Sequence, residues 1–236
     1  MRDGAARRAA LAELTAEIVS CRRCPRLVEW RERVAREKVA RFRDETYWGR
    51  PVPGFGDPEA RILIVGLAPA AHGGNRTGRV FTGDASGDFL FAAMYEVGLA
   101  NQPTGRRAGD GLELRGAYIA AAVRCAPPAN KPLPSERDNC APYLQRELAL
   151  LADVRVVVPL GAYGWEATLR AIAAITGVDP RPRPKFGHGA EVRIGPYTVV
   201  GSYHPSQQNT FTGRLTREML VAVLARTRDL AERPAG

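Results

Sequence analysis

Four cysteines are the side chains of this sequence most able to hold a metal. Cys21 and Cys24 form a CxxC pair, and Cys125 and Cys140 follow about a hundred residues later, with fourteen residues between them. Disulfides are rare in a reducing cytoplasm, so one site with four thiolate ligands accounts for all of them. Zinc and a 4Fe–4S cluster are the two candidates, and the single CxxC with a widely spaced second pair favours the cluster. Four unrelated buried thiols are the alternative.

Two further segments combine glycine with polar side chains. Residues 66–84 read GLAPAAHGGNRTGRVFTGD, and residues 202–214 read SYHPSQQNTFTGR. The first lacks the P-loop lysine and the glycine spacing of a dinucleotide fingerprint, which disfavours a nucleotide triphosphate site. Its glycines suit a loop whose backbone approaches a ligand, with Phe81 either under a planar base or in the core. In the second segment, His204 is a candidate base, metal ligand or hydrogen-bond donor, unless neighbouring carbonyls satisfy it.

The apolar pattern predicts strands that alternate with helices. Short runs rich in β-branched residues predict four buried strands, at 61–66, 117–123, 154–161 and 197–203. Helical spacing predicts helices at 5–20, 25–43, 88–99, 135–152, 163–175 and 215–232. We therefore predict an α/β fold, a three-layer α/β/α sandwich with a central four-stranded, mainly parallel sheet, and one domain over residues 1–236. Ligands of such sheets bind beyond the carboxyl ends of the strands, where residues 66–84, 124–132 and 203–214 fall.

Composition and charge narrow the class of protein. Hydrophobic residues make up 45% and charged residues 25% of the 236 residues, which is ordinary globular usage and excludes a disordered or fibrous chain. No apolar run reaches the ~18 residues that span a bilayer, so we expect no membrane partner and a soluble, cytoplasmic protein. The net charge is +9, with a surplus of five in residues 1–50 and another five in residues 154–236. This excess favours a nucleic-acid partner.

Together, the two segments above, RCAPPANKP at 124–132 and the four cysteines resemble the uracil-DNA glycosylase superfamily, with family 5, the type B enzymes, as the nearest match. The resemblance covers nearly the whole chain. It implies a structural 4Fe–4S cluster held by Cys21, Cys24, Cys125 and Cys140, which would tie in the N-terminal helices at 5–43. It also implies hydrolysis of the N-glycosidic bond of uracil and other deaminated bases, including hypoxanthine, which leaves an abasic site. The implied partner is damaged DNA, both double- and single-stranded, and the implied form is a monomer.

The sequence departs from better-known families of this group at two positions. Those families place Asp, Asn or Glu where this chain has Ala68, which we expect to line the base site. Related iron–sulfur enzymes read uracil with an amide on the second strand, where this chain has Ala120 and Ala121. In the type B pattern Asp84 takes over the carboxylate role, and Asn130 is the nearest remaining amide for the base.

The resemblance makes Asp84 and His204 the predicted catalytic residues. His204 would donate a hydrogen bond to the base as negative charge grows on it. Asp84 would stabilise the sugar cation and orient the attacking water, and Phe81 would stack on the flipped base. The alternative role for Asp84 is only to cap the helix that starts near Ser86.

Contacts to DNA are predicted for the glycine-rich loop and for the segment that follows the fourth strand. The predicted phosphate-binding residues are Gly73, Asn75, Arg76, Ser202 and Ser206. Gln207 begins a polar segment, 207–209, that is placed to fill the space left by the flipped base. Two other functions stay open on the sequence alone: a non-catalytic, zinc-containing nucleic-acid-binding module, and an enzyme that acts on free nucleotides.

Overall fold

The computed structural model describes the backbone of residues 2–233 and the side chains of residues 4–233. Its centre is one six-stranded sheet of order β1-β3-β2-β4-β6-β5. The strands are β1 (Phe55–Gly56), β2 (Ile62–Gly66), β3 (Ala117–Ala121), β4 (Val156–Pro159), β5 (Glu191–Ile194) and β6 (Tyr197–Val200). The four inner strands run parallel and coincide with the four predicted strands.

The predicted count of four strands is too low, because β1 and β5 add antiparallel edges on the two sides of the sheet. β1 has only two residues, within a segment rich in glycine and proline. β5 is largely exposed, so its pattern lacks the apolar run of a buried strand. Edge strands leave this weaker signal because only part of their surface packs against the core.

Eight α-helices lie within residues 2–233. They are α1 (Arg2–Ser20), α2 (Pro25–Glu37), α3 (Gly74–Thr77), α4 (Ala85–Glu96), α5 (Pro134–Leu150), α6 (Gly161–Thr176), α7 (Gln207–Phe211) and α8 (Arg217–Glu232). The predicted helix at 25–43 ends early, because Lys38 adopts a φ of 55° and a 3₁₀ turn, Ala40–Phe42, follows. The sequence pattern missed the short helices α3 and α7, which lie inside the two loop segments that carry chemistry. None of the helices described is long and apolar enough to cross a membrane.

Alternate residues of β2 show the three layers. Ile62 and Ile64 pack into one core with α4 and α8. Leu63 and Val65 pack into a second core with α1, α5 and α6. Because both faces are covered, the inner strands are apolar throughout, as parallel strands in such folds usually are. The parallel run also brings the ends of β2, β3, β4 and β6 to one edge, where the loops of the site meet.

Candidate active site

Loops at the carboxyl edge of the sheet enclose a cavity of about 300 Å³. Six of the side chains predicted for the site line it. They are Ala68, Phe81, Asp84, Asn130, His204 and Ser206. The rest of the wall is mostly aliphatic, including Leu67, Pro69 and Val80. The fold therefore joins residues from three distant segments into one recess with few polar groups, which is typical of a small-molecule site.

The ring of Phe81 forms one wall of this cavity. Its backbone has a φ of 50°, a conformation that non-glycine residues rarely adopt, so the loop holds the ring at a local cost. A Cβ atom at Gly66 would lie 2.8 Å from the ring, so the glycine at the end of β2 lets the ring lie against the strand. The ring is 5.8 Å from the His204 ring, with 33° between their planes, and Phe81 is partly exposed. A planar base can therefore reach it, and Phe81 is not simply a core residue.

Asp84 has two contacts that fix its carboxylate. One oxygen, Oδ1, accepts a hydrogen bond of 3.0 Å from the backbone N–H of Gly87, which caps the N-terminus of α4. The other, Oδ2, lies so close to Gly73 that a Cβ atom there would overlap it. Burial raises the pKa of Asp84, although the amides of Gly87 and Ser86 act in the opposite direction. Asp84 is therefore a helix cap and also a half-buried carboxylate that lines the cavity.

His204 lines the same cavity and comes from the loop after β6. Burial lowers its pKa to about 4, so the ring is neutral near pH 7 and donates one N–H. Within residues 4–233, no protein group hydrogen-bonds its ring nitrogens, so neighbouring carbonyls do not satisfy it. Hydrogen bonds hold the backbone at His204 and at the residue before it. The carbonyl of His204 accepts a hydrogen bond of 2.8 Å from Asn209 Nδ2, and the N–H of Tyr203 donates one of 3.1 Å to Nδ1 of His188. The donor is free for a ligand while its position is fixed.

The four cysteines line a second, small space at the same edge of the sheet, between α2, α5 and the end of β3. None of them forms a disulfide. Arg31 Nη1 donates 2.9 Å to Cys125 Sγ, and Asn139 Nδ2 lies 3.4 Å from Cys24 Sγ. Burial raises the pKa of Cys125 to about 12 and that of Cys140 to about 11. A bound cation would favour the thiolate forms of Cys125 and Cys140 against this effect of burial. Among residues 4–233, no three Cys, His, Asp or Glu side chains converge closely enough for a single metal ion.

Comparison with known proteins decides the family. The family model described as the uracil DNA glycosylase superfamily matches residues 53–228. The chain belongs to the uracil DNA glycosylase superfamily. It is 54% identical over 215 residues to the type-5 uracil-DNA glycosylase of Thermus thermophilus, covering 91% of this chain and 95% of that protein.

Two other relatives show the same family at lower sequence identity. The type-5 uracil-DNA glycosylase of Mycobacterium bovis is 51% identical over 223 residues, which are 94% of this chain and 82% of that protein. The type-4 uracil-DNA glycosylase of Sulfurisphaera tokodaii is 30% identical over 154 residues, which are 65% of this chain and 55% of that protein. Because these relatives are named as enzymes, a non-catalytic binding module is not favoured.

In this member of the uracil DNA glycosylase superfamily, Ala68 and Ala121 contribute only methyl groups to the cavity wall. Among residues 4–233, Asn130 is the one side-chain amide that lines the cavity, and it is exposed on a 3₁₀ turn with a φ of 56°. The wall next to the ligand can therefore make few directional contacts.

Four of the predicted DNA contacts lie inside the protein instead. Asn75 and Ser202 are fully buried. Asn75 Nδ2 donates 3.2 Å to the carbonyl of Arg31, and Ser202 Oγ donates 3.0 Å to the carbonyl of Tyr203. Direct contact with phosphates does not fit this placement. Their polar atoms support the loops of the site.

Arg76 and Gly73 are also built into the first loop. Arg76 donates 2.8 Å to the His72 carbonyl and 2.9 Å to the Gly83 carbonyl, and it pairs with Glu45. These bonds use its guanidinium, and Gly73 is buried against Asp84. Of the predicted DNA contacts, Ser206 and Gln207 remain near or on the surface. The pattern of glycine and polar residues did not separate groups that hold a loop from groups that face solvent.

Sequence reasoning missed Phe211, the last residue of α7. Its exposed fraction, 79%, exceeds that of every other large hydrophobic residue recognised as exposed in residues 4–233. It lies on the segment 202–214, which also carries His204. The sequence carries no signal for its exposure, because that depends on how the short helix α7 packs.

Proposed function

We propose that this protein hydrolyses the N-glycosidic bond of uracil, and of other deaminated bases including hypoxanthine, in DNA, leaving an abasic site. The observation that supports this most is the meeting of a half-buried carboxylate, a neutral histidine donor and a partly exposed aromatic ring in one cavity. Asp84, His204 and Phe81 come from two distant loops, and the cavity of about 300 Å³ is of the size that small ligands occupy.

The first step is extrusion of the damaged base, because a base inside the duplex is out of reach. Flipping costs a few kcal/mol, and stacking on Phe81 recovers part of this. Phe211 is placed to enter the gap in the helix, since apolar side chains commonly wedge between base steps. This replaces the polar segment 207–209 as the candidate wedge.

Bond cleavage then separates charge between base and sugar. His204 donates its N–H to the base oxygen on which negative charge develops, and its low pKa keeps the imidazole neutral. Asp84 faces the developing cation on the sugar and orients water, which gives its hydroxyl to C1′ and a proton to the departing base. The cap bond to Gly87 fixes the carboxylate for this role at no further ordering cost.

A wall with few polar groups explains a broad choice of bases. A site that hydrogen-bonds every edge of one base rejects analogues strongly, because its buried polar groups are then left unpaired. Here Ala68 and Ala121 replace such groups, and Asn130 is exposed at the rim. Different deaminated bases therefore meet a similar, mainly apolar surface.

We propose in addition that Cys21, Cys24, Cys125 and Cys140 hold one 4Fe–4S cluster. Four sulfur donors without carboxylate or imidazole suit iron–sulfur ligation, and the four cysteines line one small space. Arg31 and Asn139 donate to the sulfurs, as groups around such clusters commonly do. When bound, the cluster would supply a structural link between α2, α5 and the loop after β3.

The iron content and visible spectrum of anaerobically purified protein test the cofactor. We expect about four iron atoms per chain and a brown colour, and Cys125→Ser should be colourless and poorly folded. Stoichiometric zinc without iron would defeat this assignment.

A panel of duplexes tests the activity. Each carries uracil, hypoxanthine, xanthine, a mismatched thymine or no damage, and abasic sites are counted under single-turnover conditions. We expect cleavage of uracil and hypoxanthine and none of the undamaged control. Absence of abasic sites on the uracil duplex would overturn the proposed function.

A further inference from the structure

Two arginines lie on a loop that contacts the first loop at Gly83. Arg106 and Arg107 lie on the loop between α4 and β3, and both are exposed. Within residues 4–233, neither guanidinium pairs with a carboxylate. Many other surface arginines of the chain do have such a partner, for example Arg217 with Glu96. These two positive charges are therefore available to a partner.

The backbone that carries them is held rigidly by one carboxylate. Asp110 accepts hydrogen bonds from the N–H of Arg106, at 2.7 Å, and of Arg107, at 3.2 Å. It also pairs at 2.9 Å with Arg79, which is buried in the first loop. Burial alone would raise the pKa of Asp110, but these bonds hold it well below its usual range. The loop is thus fixed to the wall of the cavity, and its two side chains need no reordering of the backbone to bind.

This loop directly adjoins the proposed catalytic carboxylate. The N–H of Gly83 donates 2.9 Å to the carbonyl of Gly105, and a Cβ atom at Gly83 would lie 3.2 Å from the carbonyl oxygen of Arg106. Asp84 is the next residue. A groove of about 850 Å³, lined by Arg106, Arg107 and Gly83 among others, runs along this side of the protein. Gly83 lines this groove and the adjacent Asp84 lines the cavity, so the two spaces meet at neighbouring residues of the first loop.

The charges of the groove favour an anion. In the part of the chain that the structure describes, two carboxylates line it: Glu45, which pairs with Arg76, and the exposed Asp88. Against these stand the unpaired guanidinium groups of Arg106 and Arg107. Guanidinium binds phosphate oxygens in a bidentate manner, and such contacts position a protein on nucleic acid without reading sequence.

We propose that Arg106 and Arg107 bind the phosphates of the damaged strand immediately beside the flipped nucleotide. This rests on the proposed function, since it takes DNA as the partner and Asp84 as the carboxylate at the reacting sugar. It assigns phosphate contact to a loop outside residues 66–84, 124–132 and 202–214, the segments that carry the sequence resemblance. It also supplies the phosphate contacts that buried Asn75 and Ser202 do not make.

The first test is the salt dependence of binding to a duplex with an uncleavable abasic-site analogue, measured by fluorescence anisotropy. Arg106→Ala/Arg107→Ala should lower the slope of log affinity against log salt by about 1.8, which is about 0.9 per lost phosphate contact. Arg106→Lys/Arg107→Lys should retain most of the slope. The matched control is Arg61→Ala/Arg115→Ala, because these exposed arginines precede β2 and β3 at the opposite edge of the sheet. An equal fall in both alanine pairs, or no fall in either, overturns the proposal.

The second test locates the contact. Neutral methylphosphonates replace single phosphates on either strand, one at a time. Wild-type protein should lose affinity most at one or two positions next to the lesion on the damaged strand, and the Arg106/Arg107 alanine pair should be insensitive there. Sensitivity that persists in that variant, or that falls only on the complementary strand, contradicts the assignment. Wild-type cleavage of a uracil duplex runs in parallel, so failure of the proposed function is recognised separately.

Discussion

The two loops that face each other across the cavity differ in how firmly they are built. The first loop, residues 66–84, is held from within: Thr82 and Arg79 are buried and bonded to each other, and Asn75 is fully buried. The second loop, residues 203–214, is anchored at its start by the contacts of His204. Further along, its side chains are mostly exposed, up to Phe211.

This contrast corresponds to two requirements of a base-flipping site, which are to stabilise the reacting bond and to enter the duplex. Groups that meet the reacting bond must be fixed in advance, because electrostatic stabilisation depends on donors that need not reorganise. Groups that enter the duplex must be exposed before binding. The second loop does both, with His204 at its anchored start and Phe211 at its exposed end. The first loop only holds Phe81 and Asp84.

The largest effect is expected for His204→Ala. Loss of one donor aimed at developing charge costs roughly 3–4 kcal/mol, so the single-turnover rate on uracil DNA should fall by two to three orders of magnitude. Binding to an uncleavable duplex should change little, because the donor acts mainly in the transition state. His188→Phe keeps a ring beside Tyr203 but removes the acceptor for its N–H, so its rate should fall less. A rate for His204→Ala within five-fold of wild type would show that this end of the second loop is not part of the chemistry.

Variants of Asp84 can distinguish its role as a helix cap from its role in catalysis. Asparagine is as good a helix N-cap as aspartate, whereas alanine is not. Asp84→Asn should therefore unfold at nearly the wild-type denaturant midpoint yet cleave about a hundred-fold more slowly, because the charge facing the sugar cation is lost. Asp84→Ala should lose the same rate and also about 1 kcal/mol of stability.

A variant at the neighbouring residue Gly73 tests the position of the Asp84 carboxylate without changing Asp84 itself. Gly73→Ala places a methyl group where Oδ2 now lies, so it should displace the carboxylate and slow cleavage without altering any ionisable group. If Asp84→Asn keeps the wild-type rate, Asp84 is a cap only, and His204 with the backbone must carry the reaction.

The strand pattern was sufficient to predict the inner strands and the edge of the sheet at which the site loops meet, whereas the roles of Asp84 and Asn130 came from the resemblance. Inner strands such as β2 are buried on both faces, and the parallel order sends their following loops to one edge. The same pattern could not tell that Asn75 and Ser202 point inward, since polar groups serve equally to satisfy buried backbone and to face solvent. Nor could it find Phe211, whose exposure depends on how α7 packs.

Phe211→Ala tests the exposed end of the second loop. Removing the side chain should slow base extrusion about ten-fold on a matched uracil pair and less on a mismatched or single-stranded substrate, where flipping costs less. The fluorescence of 2-aminopurine beside the lesion reports the flipped state. Tyr95→Ala, which truncates another exposed aromatic on α4, should leave both measurements unchanged. Equal slowing of single-stranded cleavage by Phe211→Ala would contradict a wedge.

The smallest expected effect is on the pH dependence of the free energy of unfolding. It tests whether His204 is a neutral donor in the folded protein. Its folded-state pKa is about 4, below the ordinary 6.5, because burial penalises the charged form. Between these two values the unfolded chain binds more protons than the folded one, so the free energy of unfolding must fall as pH falls through this window. His204 is partly accessible at its surface, so we expect a loss of about 1 kcal/mol between pH 7 and pH 5.

The comparison that isolates this contribution is His204→Gln, which cannot titrate. His72 and His188 also have lowered pKa values, so wild type and variant should both lose stability in acid. The wild type should lose more, by about 1 kcal/mol in denaturant titrations at pH 5 and pH 7. Parallel stability curves would mean that His204 is hydrated enough to charge freely. It would then reach the base as an imidazolium at acid pH, and the cleavage rate should rise below pH 6 instead of staying level.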